Sequence, residues 1–177
     1  MHISELVFEN IRGYSSKTQI SLVDGINYFV GENNSGKSSI LDAIMYLKSG
    51  PSNMGEIYTR NSDSSYVEAT LVFSEGELEH WLTAAEIKRF KPYFEQQDQS
   101  TFLHIRRQSY ERQVTNSATG RVTKVTEKNI LLQNPAANPN SFENPSGIDA
   151  SLKKLLDLCF VYADELPSEY TDMGKTK

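Results

Sequence analysis

Residues 26–40 decide the fold: Ile26-Asn-Tyr-Phe-Val-Gly-Glu-Asn-Asn-Ser-Gly-Lys-Ser-Ser-Ile40. Residues 31–38 fit the pattern Gly-x-x-x-x-Gly-Lys-Ser/Thr without departure. A short β-rich run precedes Gly31, which favours a buried strand at 26–30, and apolar residues repeat at helical spacing from 40 to 47. A strand, a glycine turn and a helix form the context in which this pattern binds phosphate.

The residue types of this loop suit a nucleoside triphosphate. Two glycines let the backbone wrap tightly, so that successive N–H groups converge on one phosphate. Lys37 brings a positive charge to the β- and γ-oxygens and is the candidate catalytic residue, while the Ser38 hydroxyl is the candidate ligand for Mg²⁺. The helix that follows directs its positive end at the phosphates. The candidate nucleotide-binding residues are Gly31, Glu32, Asn33, Asn34, Ser35, Gly36, Lys37, Ser38 and Ser39.

Composition narrows the class of protein. The 177 residues are 38% hydrophobic and 23% charged, which is typical of a soluble domain. No apolar run is long enough to span a membrane, and the first residues lack the pattern of a signal peptide, so we expect a cytoplasmic protein without membrane contact. The single cysteine, Cys159, excludes an internal disulfide and makes no metal site by itself.

The remaining sequence predicts an alternation of strands and helices. The capping box Ser74/Glu77 predicts one helix from there to about Phe90. Residues 134–148, rich in proline and asparagine, predict a loop. The other predicted elements are strands at 3–11, 18–22, 66–73, 101–114, 121–126, 129–133 and 160–163, and a helix at 149–158. We expect one domain over 1–177, with 1–50 holding a strand pair, the loop and its helix, 66–133 a strand, helix and hairpin, and 149–177 a helix, a strand and a frayed end.

The amino-terminal pattern Leu6-x-Phe8-x-Asn10-Ile11-Arg12-Gly-Tyr14, followed by a second alternating strand and the loop, resembles a known group of proteins. It is similar to the amino-terminal lobe of the ABC-type ATPase heads, which include the SMC proteins, RecF, SbcC and the OLD-family ATPase-nucleases. The resemblance covers about residues 1–48, and the Asn33-Asn34 pair favours the RecF-like and OLD-like members. It implies an α/β P-loop NTPase with a mixed β-sheet, ATP as the nucleotide, ATP-driven pairing with a second head, and work on DNA.

The resemblance also implies further site residues. Asn10 and Arg12 match positions beside the nucleotide, although a plain turn at the strand end accounts for them equally well. Gln133 is the candidate for a glutamine loop that contacts the metal. Residues 144–147 are the nearest candidate for a signature loop.

The segment 160–165 permits two interpretations. It resembles a Walker B strand, in which Asp164 would hold the Mg²⁺ shell and Glu165 would polarise the attacking water. It also fits a mid-domain segment of RecF-like and OLD-like ATPases, with the Walker B strand much later in the chain. We favour the second interpretation, in which the chain is an incomplete head that hydrolyses ATP weakly or not at all by itself.

Basic residues concentrate in residues 88–128, which hold nine Lys/Arg against four Asp/Glu in a chain of net charge −5. This segment is either a face for a nucleic-acid backbone or a solvated hairpin face. The candidate DNA contacts are Arg106, Arg107, Arg112, Arg121 and Lys124.

Three functions agree with these patterns. The favoured one is the ATP-binding lobe of a RecF/SMC/OLD-like ATPase that couples Mg-ATP to head dimerisation and DNA-related work, either repair or phage defence with a nuclease domain. The alternatives are a small P-loop kinase and a nucleotide-gated binding module without catalysis.

Overall fold

The computed structural model of the chain describes residues 1–49, 64–137 and 141–157. In this part of the chain seven strands form one sheet in the order β2-β1-β3-β5-β6-β7, with β4 paired to the start of β5. The strands are β1 (His2–Glu9), β2 (Thr18–Ser21), β3 (Ser64–Ser74), β4 (Phe94–Gln97), β5 (Ser100–Thr115), β6 (Val122–Gln133) and β7 (Phe142–Glu143). The helices are α1 (Lys37–Ser49), α2 (Leu78–Trp81), α3 (Ala84–Phe90) and α4 (Asp149–Leu155), with a 3₁₀ turn at Lys91–Tyr93.

The α/β class agrees with the expectation, and each strand pair among the described residues is antiparallel. Alternation along the strands sends one set of side chains to the inner face of the sheet, where α1 and α4 cover them. The buried core consists mainly of Leu6, Phe8, Val67, Leu71, Phe73, Leu103, Ile105 and Leu132 from the sheet, and Ile40, Ala43, Tyr46, Leu47, Leu152 and Leu155 from the helices.

The prediction of a buried strand at 26–30 is wrong for the described chain. This segment has no strand assignment, and Ile26, Tyr28 and Val30 are 74%, 81% and 93% exposed. Only Phe29 packs partly against the core. A strand forms only where a neighbour completes its hydrogen bonds, and none of the described strands runs beside this segment. The β-rich pattern indicates an apolar segment, but a local pattern does not supply the neighbouring strand that would bury it.

The predicted single helix from Ser74 to Phe90 is also wrong, because the structure has two short helices there. Leu82 is extended, with φ −125° and ψ 142°, and separates α2 from α3. Thr83 then starts α3 with a full capping box, in which Glu86 receives the Thr83 backbone N–H and the Thr83 hydroxyl accepts the Glu86 N–H. A second capping signal therefore ends the first helix early.

The remaining predicted elements differ from the structure mostly in length. The two strands predicted at 121–126 and 129–133 are one strand, β6, which pairs with β5 along a hairpin closed by a turn at Gly120, where φ is +68°. The loop predicted at 134–148 contains the two-residue strand β7. α4 ends at Leu155, earlier than the predicted 158. The predicted strand at 160–163 and Cys159 lie outside the described residues.

A buried hydroxyl cluster joins α1 to the sheet. The Tyr46 hydroxyl lies 2.5 Å from the Ser109 Oγ and accepts a hydrogen bond of 3.2 Å from the Ser65 hydroxyl. All three residues are almost fully buried. Hydroxyl groups without water must bond one another, so the cluster fixes the position of α1 over β3 and β5.

We expect Tyr46→Phe to lower the free energy of unfolding by about 1–3 kcal/mol, because it removes a buried hydrogen-bonding group from this cluster. Urea denaturation at pH 7 measures the change. Tyr28→Phe is the matched control, since Tyr28 is exposed and should change stability by less than about 0.5 kcal/mol. Equal stabilities of the two variants would contradict a structural role for the cluster.

A carboxylate, Glu86, connects α3 to α4. Its side chain accepts hydrogen bonds from the Ser151 hydroxyl at 2.7 Å and from the Thr83 backbone N–H and hydroxyl, each at 2.8 Å. These bonds lower the pKa of Glu86 to about 2, and the bond from Ser151 has the largest effect. The ionised form is therefore favoured by folding, so the stabilisation is complete above about pH 4.5 and is lost as the pH falls toward 2.

We expect Glu86→Gln to lower the melting temperature at pH 7 and to reduce the loss of stability between pH 5 and pH 2.5. The glutamine cannot gain or lose a charge in this range, so the pH-dependent contribution of the site disappears. Thermal denaturation followed by circular dichroism across this range measures both effects. Glu75→Gln, on the exposed turn before α2, controls for the change in net charge; an unchanged acid profile in Glu86→Gln would refute the assignment.

Candidate phosphate-binding site

The loop at residues 31–36 is a tight turn with two residues of positive φ. Gly36 has φ +89° and Asn34 φ +67°, in the left-handed region that glycine and asparagine tolerate best. The Ser35 N–H donates to the Glu32 carbonyl at 3.2 Å, and the Ser39 N–H donates to the Gly36 carbonyl at 3.0 Å. These bonds close the loop directly onto the start of α1.

A cavity of about 300 Å³ lies in the mouth of this loop and is lined by residues 33–39. α1 begins at Lys37 and has no acidic side chain in its first turn. The unpaired N–H groups of a helix start carry a partial positive charge. The cavity is therefore electrostatically suited to an anion of the size of a phosphate group.

Glycine is required more strictly at Gly36, where φ is +89°, than at Gly31, where an added side chain would meet only the Ser35 side chain. A side chain at Gly31 would place its Cβ 2.8 Å from the Ser35 Oγ, and one at Gly36 would place its Cβ 2.8 Å from the Tyr14 hydroxyl oxygen. Both separations are too short for non-bonded atoms. The lining of residues 33–39, with Lys37 and the start of α1, fits the phosphates of a nucleotide.

Lys37 lies over the loop that it follows. Its ammonium group donates to the carbonyls of Gly31 at 2.8 Å and Glu32 at 2.6 Å, and it is 3.4 Å from the Ser35 Oγ. These acceptors are neutral. A phosphate oxygen in the same place is a stronger partner for the ammonium, because the bond is then between opposite charges.

Asn10 and Arg12 belong to a tight turn beside the loop. Both have positive φ, 57° and 51°, which is uncommon for residues with side chains. The Arg12 Nε donates to the Asp42 carboxylate at 2.9 Å, so this turn is tied to the second turn of α1. Asp42 was not singled out from the sequence, since a carboxylate inside a helix gives no signal of its partner.

The other candidates for a metal or catalytic role are not brought to the loop by the described residues. Gln133 follows the core residue Leu132 on β6 and lines a cleft on the outer face of the sheet, together with Glu5 and Arg106. Gly147, in the candidate signature segment, accepts a hydrogen bond of 2.5 Å from Arg89. Asp164 and Glu165 lie outside the described residues, so their roles stay predictions.

Two of the candidate DNA contacts have structural roles. The Arg106 Nε donates to Glu68 at 2.7 Å, and its guanidinium lies between the rings of Tyr66 and Phe142, 5.2 Å and 4.1 Å from their centroids. Arg107 donates to the backbone carbonyls at the carboxyl end of α1. These two side chains therefore do not form a free basic face.

Arg107 caps the carboxyl end of α1. Its Nε donates to the Leu47 carbonyl at 2.7 Å, and its Nη2 donates to the Lys48 carbonyl at 3.1 Å. Burial lowers the pKa of the Arg107 guanidinium, and the negative end of the helix dipole faces its charge. With the Tyr46 cluster, this cap holds the helix that carries the phosphate loop.

The remaining candidates lie on the hairpin of β5 and β6. Arg112 forms an ion pair with Glu127, and Lys124 forms one with Glu111 at 2.9 Å. Arg121 is exposed at the turn. Ion pairs on an exposed surface are weak, so these two contribute little to stability.

We expect Arg107→Lys to lower the free energy of unfolding by about 1–3 kcal/mol, because lysine keeps the charge but cannot bond two adjacent carbonyls in the same plane. Urea denaturation provides the measurement. Arg121→Lys is the matched control and should leave stability unchanged. Similar losses in both variants would mean that Arg107 does not cap α1.

Together, an α/β fold and a phosphate loop at the start of a helix packed on the sheet define a P-loop nucleotide-binding protein. The family model of the AAA ATPase domain matches residues 1–156. That match covers most of the chain, which therefore belongs to the AAA ATPase domain family. The expected P-loop NTPase fold and the expected kinship with RecF-like and SMC-like ATPases are confirmed.

Curated relatives match less than half of the chain. The chain is 32% identical over 83 residues to the DNA double-strand break repair Rad50 ATPase of Thermococcus kodakarensis, covering 45% of this chain and 9% of the relative. It is 38% identical over 71 residues to the DNA replication and repair protein RecF of Glaesserella parasuis, covering 40% and 19%. The chain thus spans a small part of the length of these relatives.

A solved SMC ATPase structure aligns with 100% of this chain and 93% of the length of the solved chain, at 18% identity and a TM-score of 0.48.

Among the helices of the described residues, none is long and apolar enough to cross a membrane.

Proposed function

We propose that this chain is the ATP-binding lobe of a RecF/SMC/OLD-like ATPase and that it binds Mg-ATP at residues 31–39. The observation that carries the proposal is the cavity lined by residues 33–39, which opens at the start of α1. Membership of an ATPase family makes ATP the expected nucleotide.

The residues of the loop divide the work of binding. The N–H groups of the loop and of the first turn of α1 hold the β-phosphate. Lys37 exchanges its two loop carbonyls for the β- and γ-oxygens, and Ser38 is the residue that would hold Mg²⁺. When bound, the metal neutralises charge on the phosphate oxygens. Arg12 and Asn10 lie in the turn beside α1, where they would contact the nucleotide.

An incomplete head accounts for the exposed apolar surface beside the loop. Ile26, Tyr28 and Val30 alternate along the segment that leads to Gly31, and all three are exposed. Leu41 and Met45 add an exposed apolar stripe on α1. A surface of this kind favours burial under further polypeptide, and the alignments cover only 9% and 19% of the two curated relatives. We therefore expect weak hydrolysis by residues 1–177 alone and ATP-dependent pairing with a second head.

Kinship with DNA repair proteins, rather than a basic face, supports the proposal that the protein works on DNA. The relatives include DNA repair proteins, and the SMC structure concerns DNA-stimulated activation of those ATPases. In this chain, the candidate DNA contacts that lie exposed on the hairpin are Arg112, Arg121 and Lys124. Whether the pathway is repair or phage defence stays a prediction.

We expect Lys37→Ala to weaken binding of a fluorescent ATP analogue, measured with Mg²⁺ by fluorescence titration, by about tenfold or more, because the loop loses its mobile positive charge. Lys48→Ala, at the other end of α1, is the matched control and should bind as the wild type does. Absence of binding by the wild type would reject the proposed function.

Free phosphate measured in the same samples tests the catalytic part. Negligible release by the wild type would agree with an incomplete head. Clear release that disappears in Glu165→Gln would instead make Asp164 and Glu165 a Walker B pair and this chain a self-sufficient ATPase.

A further inference from the structure

The side chain nearest to the critical glycine of the phosphate loop comes from a distant part of the chain. If Gly36 carried a Cβ, its three nearest neighbours would be the Tyr14 hydroxyl oxygen, Cε2 and Cζ, at 2.8, 2.9 and 3.0 Å. The Tyr14 ring therefore lies flush against the Gly36 backbone and fills the space that a side chain would take. No pattern in the sequence assigns a role to this tyrosine.

Tyr14 is held firmly where it meets the loop. Its ring packs edge-on against Phe8, with centroids 5.0 Å apart and planes at 87°. Its backbone forms a two-way bridge with Ile11, which is fully buried, with N–O distances of 3.1 and 2.9 Å. The Arg12–Asp42 ion pair ties the same turn to α1. The ring is thus fixed both to the sheet and to the helix that the loop precedes.

The hydrogen bonds of Ser35, Lys37 and Ser39 close the loop on itself, whereas the Tyr14 ring contacts it from outside. Residues 31–35 are exposed, and Gly36 has φ +89°, a conformation that an unsupported glycine exchanges freely for others. Residues 33–39 must nevertheless present their N–H groups in one arrangement to hold a phosphate. A loop that is already ordered loses less conformational entropy when it binds its ligand, and it binds more tightly for that reason.

We infer that Tyr14 is a positioning residue for the phosphate loop: its ring holds Gly36 in the left-handed conformation that directs the loop N–H groups at the phosphate. This inference rests on the proposed nucleotide site and adds to it a residue outside the loop. The ring acts through Gly36 and does not touch the nucleotide. Two of the three nearest atoms are ring carbons, so the flat ring supplies most of the contact with Gly36.

The test compares the wild type with Tyr14→Phe and Tyr14→Leu. Phenylalanine keeps the ring, whereas leucine keeps apolar bulk without a flat surface that reaches Gly36. Phe94→Leu is the matched control, because Phe94 is also a partly buried ring, packed on Phe73 and Phe90. Each folded variant is titrated with the fluorescent ATP analogue in Mg²⁺, and its thermal stability is measured in parallel.

We expect Tyr14→Leu to raise the Kd on the order of tenfold, the size expected when preorganisation of a loop is lost. Tyr14→Phe should bind within about twofold of the wild type, and Phe94→Leu should lose stability without a change in Kd. Wild-type affinity in Tyr14→Leu would overturn the inference. A Kd for Tyr14→Phe as high as that for Tyr14→Leu would also overturn it. So would a Kd for Phe94→Leu that rises in step with the loss of stability of that variant.

A nucleotide-free measurement separates this inference from the proposed function. In ¹H–¹⁵N spectra of the free proteins, the amide signals of Gly31, Gly36 and Lys37 should move or broaden in Tyr14→Leu and stay in place in Tyr14→Phe. If the wild type bound no nucleotide, the proposed function would fail while these spectra still decided the role of Tyr14. Unchanged loop signals in Tyr14→Leu would overturn the inference even if nucleotide binding were confirmed.

Discussion

The packing of α1 on the inner face of the sheet is the interaction on which the candidate site depends. Its amino end carries the phosphate loop, and its carboxyl end is capped by Arg107 from β5. Between them, Tyr46 reaches the hydroxyls of Ser65 on β3 and Ser109 on β5. A helix fixed along its length presents its N–H groups in one direction, which is what an anion site at its start requires.

The turn at residues 10–14 gives the site its second support. It follows directly from β1, so the most buried part of the sheet fixes its position through Phe8 and Ile11. From there Arg12 reaches α1 and Tyr14 reaches Gly36. Residues with positive φ at Asn10 and Arg12 let the chain reverse tightly enough to make both contacts. The first strand, β1, therefore supports the loop through packing, although it precedes the loop by more than 20 residues in the sequence.

The same fold leaves one side of the site unfinished. The segment that leads into the loop is apolar on alternate residues and yet exposed, and α1 continues that surface with Leu41 and Met45. Burying such residues would contribute about 1.5–3 kcal/mol for each large side chain. Folding of the described residues does not obtain this stabilisation, which is why we associate the surface with additional polypeptide.

The sequence by itself determined the phosphate loop, because its chemistry needs only a local spacing of glycine, lysine and serine. It also determined the amphipathic strands and α1, whose apolar periods of two and 3.6 residues are properties of neighbouring positions. Tertiary structure decided the rest. Arg107 was expected at a DNA surface and instead caps a helix 60 residues away in sequence, and Tyr14 became the support of Gly36. The segment 26–30 stayed exposed because a strand is defined by its partner. In each case the outcome depends on residues that only folding brings together, and no local pattern records which they are.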